Sequence, residues 1–222
     1  VALIPSPTFL ALHPRGQILY AVSESDIADG RTGGVAFAYR IKSGGGLECI
    51  GQQAAGGPRL AHLVPDATAR MLAAVSYGGG SVVMFHLADD GKIGPRANTL
   101  FVQGAHGPDP VRQDRPHPHS VTLSPDNRFA YVCDLGLDQV LAFRLDPNSA
   151  TLLPITEYGT EPGAGPRHAK CSDDGRFLYV INELDSSISV YARELETGTL
   201  TPVQTVSTLP SGFAQDNLAA EI

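Results

Sequence analysis

Residues 118–143 read PHSVTLSPDNRFAYVCDLGLDQVLAF. A short apolar run after Pro118 is followed by the turn Ser124-Pro-Asp-Asn127, and a second apolar run begins at Phe129. Proline followed by Asp and Asn is what a tight hairpin turn selects. The runs are too short for ordinary helices and are rich in β-branched and aromatic residues, so they are predicted to be strands.

The same plan occurs four times along the chain. The repeats open at Pro7, Pro58, Pro118 and Pro166, which are 51, 60 and 48 residues apart. Each opening strand is followed by a turn, a second strand, an alternating third strand and a short outer strand. The four first turns are His13-Pro-Arg-Gly16, Val64-Pro-Asp-Ala67, Ser124-Pro-Asp-Asn127 and Ser172-Asp-Asp-Gly175. A period near fifty with four antiparallel strands per repeat is typical of a propeller blade. We therefore predict an all-β fold, a β-propeller of four-stranded antiparallel blades.

Residues 1–222 are expected to form one domain, an incomplete ring of about four to five blades. Four blades are complete, and Phe213 to Ile222 is interpreted as the opening strand of another. Propellers close with four to eight blades, and an open arc would expose apolar blade faces. We expect a natural protein that continues for two or more further blades, with this chain truncated at its C-terminus and also at its N-terminus.

Composition limits the classes of partner. The net charge of −7 offers no basic surface for nucleic acid. No apolar run approaches the 18 residues of a membrane-spanning helix, so no membrane partner is expected. The cysteines at 49, 133 and 171 are widely spaced, which fits buried thiols in a reducing compartment. A cytoplasmic location is predicted, with a periplasmic or secreted one left open.

Repeat positions predict where a site would lie. In a blade the first strand lines the central channel, and the second strand runs antiparallel to it. The residue after each opening proline and the residue closing each second strand therefore lie at the same mouth. The first set is Thr8, Arg59, His119 and Arg167, and the second is Glu24, Tyr77, Leu135 and Glu183. Charged groups from different blades are thus expected to converge, although ion pairs that merely join neighbouring blades are an alternative.

Further candidates come from the long loop between the second and third repeats, residues 101–116. Arg112 and Arg115 either close over an anion or are solvated, and the sequence does not choose between these alternatives. His117 and His119 lie two apart on a predicted strand, which would suit a metal. No Cys or further His–carboxylate motif completes such a site, so no metal and no cofactor are expected. His168 should face away from Arg167 and serve in packing.

Several motifs resemble the lactonase family of seven-bladed propellers, which includes propeller-type 6-phosphogluconolactonases and carboxymuconate cyclases. The motifs are Ser76-Tyr-Gly-Gly-Gly-Ser-Val82, Pro116-His-Pro-His-Ser-Val121, Asp134-Leu-Gly136, Gly165-Pro-Arg-His168, Val180-Ile-Asn-Glu183 and Phe213-Ala-Gln-Asp-Asn-Leu-Ala-Ala-Glu-Ile222. Ser76 stands where an Asn is usual, and Leu218 where a small polar residue is common. The resemblance implies seven blades in the full protein, and the motifs at His119, Arg167 and Glu183 match those carrying the family's proposed catalytic groups.

The resemblance implies hydrolysis of a sugar lactone, with 6-phosphogluconolactone as the first substrate to test. His119 or Glu183 would be the base, and Arg167 and Arg59 would bind the carboxylate or phosphate of the substrate. Glu24, His117 and Arg115 are further substrate-binding candidates. Two alternatives stay open: a cyclase that forms or opens a carboxymuconolactone, and a non-catalytic binding platform, whose charged group would be absent or paired off in the channel wall. A small lactone or carboxylate is the expected partner, and the sequence leaves the oligomeric state open.

Overall fold

A computed structural model describes residues 4–25, 27–28 and 31–222, and the described part contains strands and no helix. In chain order the strands are β1 (Pro7–Leu12), β2 (Ile18–Ser23), β3 (Ile27–Ala28), β4 (Arg31–Thr32), β5 (Val35–Ile41), β6 (Leu47–Ala54), β7 (Leu60–Pro65), β8 (Met71–Ser76), β9 (Ser81–Leu87), β10 (Ile93–Phe101), β11 (Pro118–Leu123), β12 (Phe129–Asp134), β13 (Gln139–Asp146), β14 (Thr151–Gly159), β15 (Pro166–Cys171), β16 (Phe177–Asn182), β17 (Ser187–Arg193) and β18 (Leu200–Ser207). The described residues include no helix that is long and apolar enough to span a membrane.

The strands form four sheets of four, which confirms the predicted all-β fold of four-stranded antiparallel blades. The sheet orders are β1-β2-β5-β6, β7-β8-β9-β10, β11-β12-β13-β14 and β15-β16-β17-β18, and β3 pairs with β4 in a separate hairpin. The chain divides into two compact units. The first unit comprises the chain up to Val102 together with Asp146–Thr151. The second unit comprises Gln103–Leu145 and Leu152–Ile222.

The opening strand of every blade is bulged at its second residue. Pro118 pairs with Asp134 and Ser120 with Cys133, so His119 is the extra residue in β11. The same shift falls at Thr8, Ala61 and Arg167 in the other three blades. A bulge bends the strand and redirects the side chain of the extra residue. The repeat thus supplies one redirected side chain per blade.

This register changes which residues of the second repeat correspond to those of the other three repeats. Leu60 pairs with Ser76, so Leu60, and not Pro58, is equivalent to Pro118 and Pro166. The residue equivalent to His119 is therefore Ala61, whereas Arg59 precedes the strand. The difference in register arises from the turn that follows the opening strand of this blade. Asp66 donates its N–H to Met71 O as Ser124 does to Phe129 O, so the turn begins at Asp66 and not at Val64.

Each unit has a core between its two sheets, built around a buried tyrosine. Tyr20 and Tyr131 are fully buried, and their hydroxyls donate to Gly91 O at 2.9 Å and Gly198 O at 2.8 Å. Each bond joins a second strand to the last turn of the neighbouring blade. Burial raises the pKa of Tyr131 to about 12. Each of these two tyrosines therefore packs between the neighbouring blades of its own unit.

The three cysteines are free thiols in different surroundings. Cys133 is buried and Cys171 is half-buried, as the sequence interpretation expects for structural thiols. Burial raises the pKa of Cys133 to about 12. Cys49 is exposed on the outer strand β6, so the prediction of a buried thiol is wrong there. An outer strand packs on one neighbour only, which leaves alternate side chains in solvent.

The segment 213–222 forms no strand, contrary to the sequence prediction. In all four blades the opening strand pairs with the strand that follows it in the sequence. Among the described residues, no strand pairs with the backbone of 213–222. The segment instead contacts the fourth blade, where Ala219 N donates to Glu183 O at 3.1 Å.

Candidate functional site

The three predicted catalytic residues all lie in the second unit, at one end of the third and fourth blades. His119 and Arg167 are the bulge residues of β11 and β15. Glu183 follows the last residue of β16, and its N–H donates to Gly165 O at 2.8 Å. Because the start of a first strand and the end of its antiparallel partner coincide, the fold itself positions these side chains.

Glu183 is held between two arginines. Its side chain is only 7% exposed. Arg167 Nε donates to Oε2 at 2.8 Å, and Arg112 Nη2 donates to Oε1. Charge-assisted hydrogen bonds of this kind are strong and fix the geometry of the guanidinium planes. Since both carboxylate oxygens accept from arginine, the arrangement suits Glu183 to holding the two cations more than to accepting a proton.

His119 joins this group through a second histidine. The rings of His119 and His168 meet edge to face with centroids 5.2 Å apart. His168 Nε2 lies 3.4 Å from Arg167 Nη1, and its Nδ1 lies 2.8 Å from Glu221 Oε2. Burial lowers the pKa of His168, and Arg167 lowers it further, whereas Glu221 and Glu183 raise it. His168 is buried as predicted for a packing residue, but it also has polar contacts that the sequence interpretation did not anticipate.

The two loop arginines have different partners in the structure. Arg112 reaches Glu183, whereas Arg115 pairs with its neighbour Asp114 at 3.0 Å and its side chain is 60% exposed. The sequence interpretation selected Arg115 as a substrate-binding candidate and left Arg112 undecided. The structure brings Arg112, and not Arg115, to the predicted catalytic group.

His117 does not share a strand face with His119. It precedes β11, and its ring Nε2 lies 2.8 Å from Asp114 Oδ1. In the part of the chain that the structure describes, no group of three or more His, Cys, Asp or Glu side chains is arranged to hold a metal ion. His117 precedes the strand and His119 is its bulge residue, so their spacing of two residues does not place them on one strand face.

The residues that close the second strands occupy equivalent backbone positions in all four blades. The residues closing the second strands each donate an N–H to the residue that precedes an opening strand: Glu24 to Ser6 O, Tyr77 to Arg59 O, Leu135 to His117 O and Glu183 to Gly165 O. This pattern supports the predicted equivalence of the second set. Glu24 and Arg59 belong to the first unit, and their substrate-binding roles stay predictions.

Asp134 is a buried carboxylate beneath this end of β11. Its Oδ1 accepts the N–H groups of His117 at 2.8 Å and Leu137 at 3.1 Å. Its Oδ2 has no hydrogen-bond partner among the residues that the structure describes. Burial raises the pKa of Asp134 from 3.8 to about 6, although the backbone donors lower it. The folded protein thus binds this proton more tightly than the unfolded chain does.

Asp134→Asn is expected to stabilise the protein at alkaline pH. A raised acid pKa gives stability that is present below pH 4 and lost as pH rises through about 6. Asparagine cannot ionise and keeps the Oδ1 acceptor, and Asn182 already occupies the equivalent position in β16. Urea unfolding should show a gain of about 2–3 kcal/mol at pH 8 that shrinks towards pH 5. Asp174→Asn, at an exposed site, is the control and should show no such gain. A pH-independent difference for Asp134→Asn would contradict this account.

Comparisons with known proteins agree with the geometry. Residues 1–222 match the family model described as "Lactonase, 7-bladed beta-propeller". The chain is 29% identical over 222 residues to 6-phosphogluconolactonase of Bacillus subtilis, covering 100% of this chain and 61% of that protein. It is 34% identical over 193 residues to 6-phosphogluconolactonase of Formosa agariphila, covering 85% of this chain and 54% of that protein. Thus the chain spans little more than half the length of these relatives.

A solved structure is also similar. The periplasmic gluconolactonase PpgL of Pseudomonas aeruginosa superimposes with a TM-score of 0.84 and 30% sequence identity. The match covers 95% of this chain and 60% of that structure. Both the sequence and the blade architecture are therefore similar to those of lactonases.

Proposed function

Because this chain belongs to the lactonase family of seven-bladed β-propellers, we propose that the whole protein hydrolyses a sugar lactone. The proposed substrate is 6-phosphogluconolactone, which gives 6-phosphogluconate, since relatives 29% and 34% identical to this chain are 6-phosphogluconolactonases. The observation that carries the proposal is the convergence of His119, Arg167 and Glu183 from two blades onto one end of the second unit.

The proposed reaction uses His119 as the base. His119 takes a proton from water as the water oxygen attacks the lactone carbonyl carbon. The carbonyl oxygen becomes an oxyanion, which the guanidinium of Arg167 stabilises. The bond from the carbonyl carbon to the ring oxygen then breaks. Protonated His119 returns its proton to that oxygen, and the product is the open hydroxy acid.

Glu183 has a positioning role in this scheme. Its two oxygens hold Arg167 and Arg112 by charge-assisted hydrogen bonds, so the guanidinium groups are oriented before the substrate binds. Donors that need no reorganisation are the ones that stabilise a developing charge best. The roles of Arg59, Glu24, His117 and Arg115 in binding the substrate are further parts of the proposal.

The pairing of Glu183 with two arginines also favours a second candidate, a non-catalytic platform that binds a small anion. Such a protein would keep its charged group paired and would bind sugar acids without turning over a lactone. The partial exposure of Arg167 at 23% and Arg112 at 33% lets a small anion reach the guanidinium groups under either candidate.

Turnover decides between these candidates. The full-length protein is expected to hydrolyse 6-phosphogluconolactone above the spontaneous rate, measured by coupling the product to 6-phosphogluconate dehydrogenase. Arg167→Ala should lower kcat/KM by about 10²–10³-fold, as the loss of an oxyanion donor does. Arg176→Ala, at an exposed site paired with Asp174, is the matched control. A wild-type rate equal to the spontaneous one, with 6-phosphogluconate still bound in calorimetry, would support the platform instead.

A cytoplasmic location is part of the proposal, because the product would enter cytoplasmic sugar metabolism. The similar protein of Pseudomonas aeruginosa is periplasmic, so fractionation of cells that express the full-length gene is the appropriate measurement. Recovery in the periplasmic fraction would reject this part of the proposal without touching the chemistry.

A further inference from the structure

Arg112 is the feature of the site that neither the repeat pattern nor the motifs assign. We propose that Arg112 is the specificity-determining residue that recognises the anionic group of the substrate, a phosphate in the case of 6-phosphogluconolactone. This inference rests on the proposed function and assigns the substrate class to a residue of the long loop, residues 102–117.

The loop that carries Arg112 is anchored from both sides of that residue. Asp109 Oδ1 accepts the N–H groups of Val111 at 2.8 Å and Arg112 at 2.9 Å. The next residue, Gln113, is 1% exposed, and its Oε1 accepts the N–H of Asp109 at 3.0 Å. A Cβ at position 107 would lie 2.3 Å from the Gln113 amide, so the close packing of the loop at this point requires glycine. The backbone at Arg112 is therefore fixed, as a specificity residue requires.

One buried carboxylate links this loop to the approach of Arg167. Asp138 is 6% exposed, and its Oδ1 accepts Gln113 Nε2 at 2.7 Å and Gly165 N at 2.8 Å. Its Oδ2 accepts Gly163 N at 2.7 Å. The turn at Gly163–Gly165 leads directly into β15 and Arg167. Asp138 therefore connects the loop that carries Arg112 to the turn that precedes Arg167.

The charge of the site favours an anion. Arg112 and Arg167 both bond to the Glu183 carboxylate, and these three side chains together carry a net charge of +1. Within the described second unit, three other carboxylates have partners of their own: Asp109 in the loop backbone, Asp114 in His117 and Arg115, and Glu221 in His168. Guanidinium groups match phosphate and carboxylate oxygens in geometry and charge.

Arg112 is better placed than Arg167 to meet that anion. The Arg112 side chain is the more exposed of the two, at 33% against 23%. In the proposed reaction Arg167 serves the reacting carbonyl, and Arg112 holds the substituent that distinguishes a phosphorylated lactone from a neutral one.

The test compares two substrates on the full-length protein. Arg112→Met should raise KM for 6-phosphogluconolactone by about 10- to 100-fold, the value of one or two charged hydrogen bonds. The KM for glucono-δ-lactone, which lacks the phosphate, should change by less than about threefold. Arg112→Lys keeps the charge without the planar fork and should recover part of the loss. Arg176→Met, at an exposed position of the same unit where the arginine is paired with Asp174, is the matched control and should behave as wild type.

The possible failures are distinguishable. An equal fall in kcat for both lactones in Arg112→Met would mean that Arg112 acts only by holding Glu183, which overturns the assignment. A variant with wild-type kinetics on both substrates would also overturn it, while the proposed function stands. Absence of enzyme-dependent hydrolysis by the wild type would overturn the proposed function and this inference with it.

Discussion

His119→Gln in the full-length protein is expected to lower kcat for lactone hydrolysis by about 10²–10⁴-fold, the usual contribution of a general base. The bulge of β11 directs His119 out of the regular strand pattern, and its ring meets His168 beside Arg167. Glu183 has both oxygens committed to arginines. Among the three predicted catalytic residues, His119 is therefore the one suited to move a proton.

The control for this variant is His106→Gln, at an exposed position of the same long loop. It should leave kcat unchanged within about twofold, since it removes an imidazole of the same chemistry from solvent. Urea unfolding of His119→Gln should match the wild type, because glutamine keeps a polar side chain at a half-buried bulge position. A fall in kcat of less than about fivefold would reject His119 as the base.

Arg193→Met is expected to have the largest effect on stability, lowering the free energy of unfolding by about 3 kcal/mol. The Arg193 side chain is 1% exposed, and its Nε donates to Tyr131 Oη at 2.9 Å. Its Nη1 donates to Gly175 O at 2.9 Å, and its Nη2 donates to Asp126 Oδ2 at 2.7 Å. The guanidinium also lies 5.1 Å from the centre of the Phe129 ring. Methionine fills similar volume but leaves these acceptors without their donor.

The loss of stability should stay near the lower end of the range for broken buried pairs, because Asp126 is 33% exposed and can be hydrated. Arg176→Met is the matched control, since Arg176 forms an exposed pair with Asp174 and its side chain is 68% exposed. That variant should lose less than about 1 kcal/mol. Equal losses for the two variants in urea unfolding would show that the buried network of Arg193 contributes nothing specific.

Much of the fold is predictable from the sequence because apolar runs and turn residues recur with a period near fifty. The register of the second blade is not predictable in this way. Val64-Pro-Asp-Ala67 has the same letters as Ser124-Pro-Asp-Asn127 at its centre, yet the turn begins two residues later, at Asp66. The Asp66 carboxylate accepts the N–H groups of Thr68, Arg70 and Met71 and so fixes the turn by side-chain bonds. A proline pattern does not contain that information.

The candidate site is likewise predictable from the sequence only in part. His119 and Arg167 are predictable because both are bulge residues of equivalent strands, and Glu183 because it closes a second strand. Arg112 is not, since the long loop has no counterpart in the other blades, and the sequence interpretation selected Arg115 instead. The hydrogen bonds of Gln113 and Asp109 hold the loop backbone in the conformation in which Arg112 faces Glu183.

A crystal structure of the full-length protein with 6-phosphogluconate is the most direct test of the proposed site. We expect the product to lie in the second unit with its carboxylate near Arg167 and its phosphate near Arg112, at about 2.7–3.2 Å between donor and acceptor atoms. The His119 ring should be within hydrogen-bond distance of the product carboxylate or of the adjacent hydroxyl. Binding of 6-phosphogluconate elsewhere in the protein, with Arg112, Arg167 and Glu183 making no contact to it, would contradict the account.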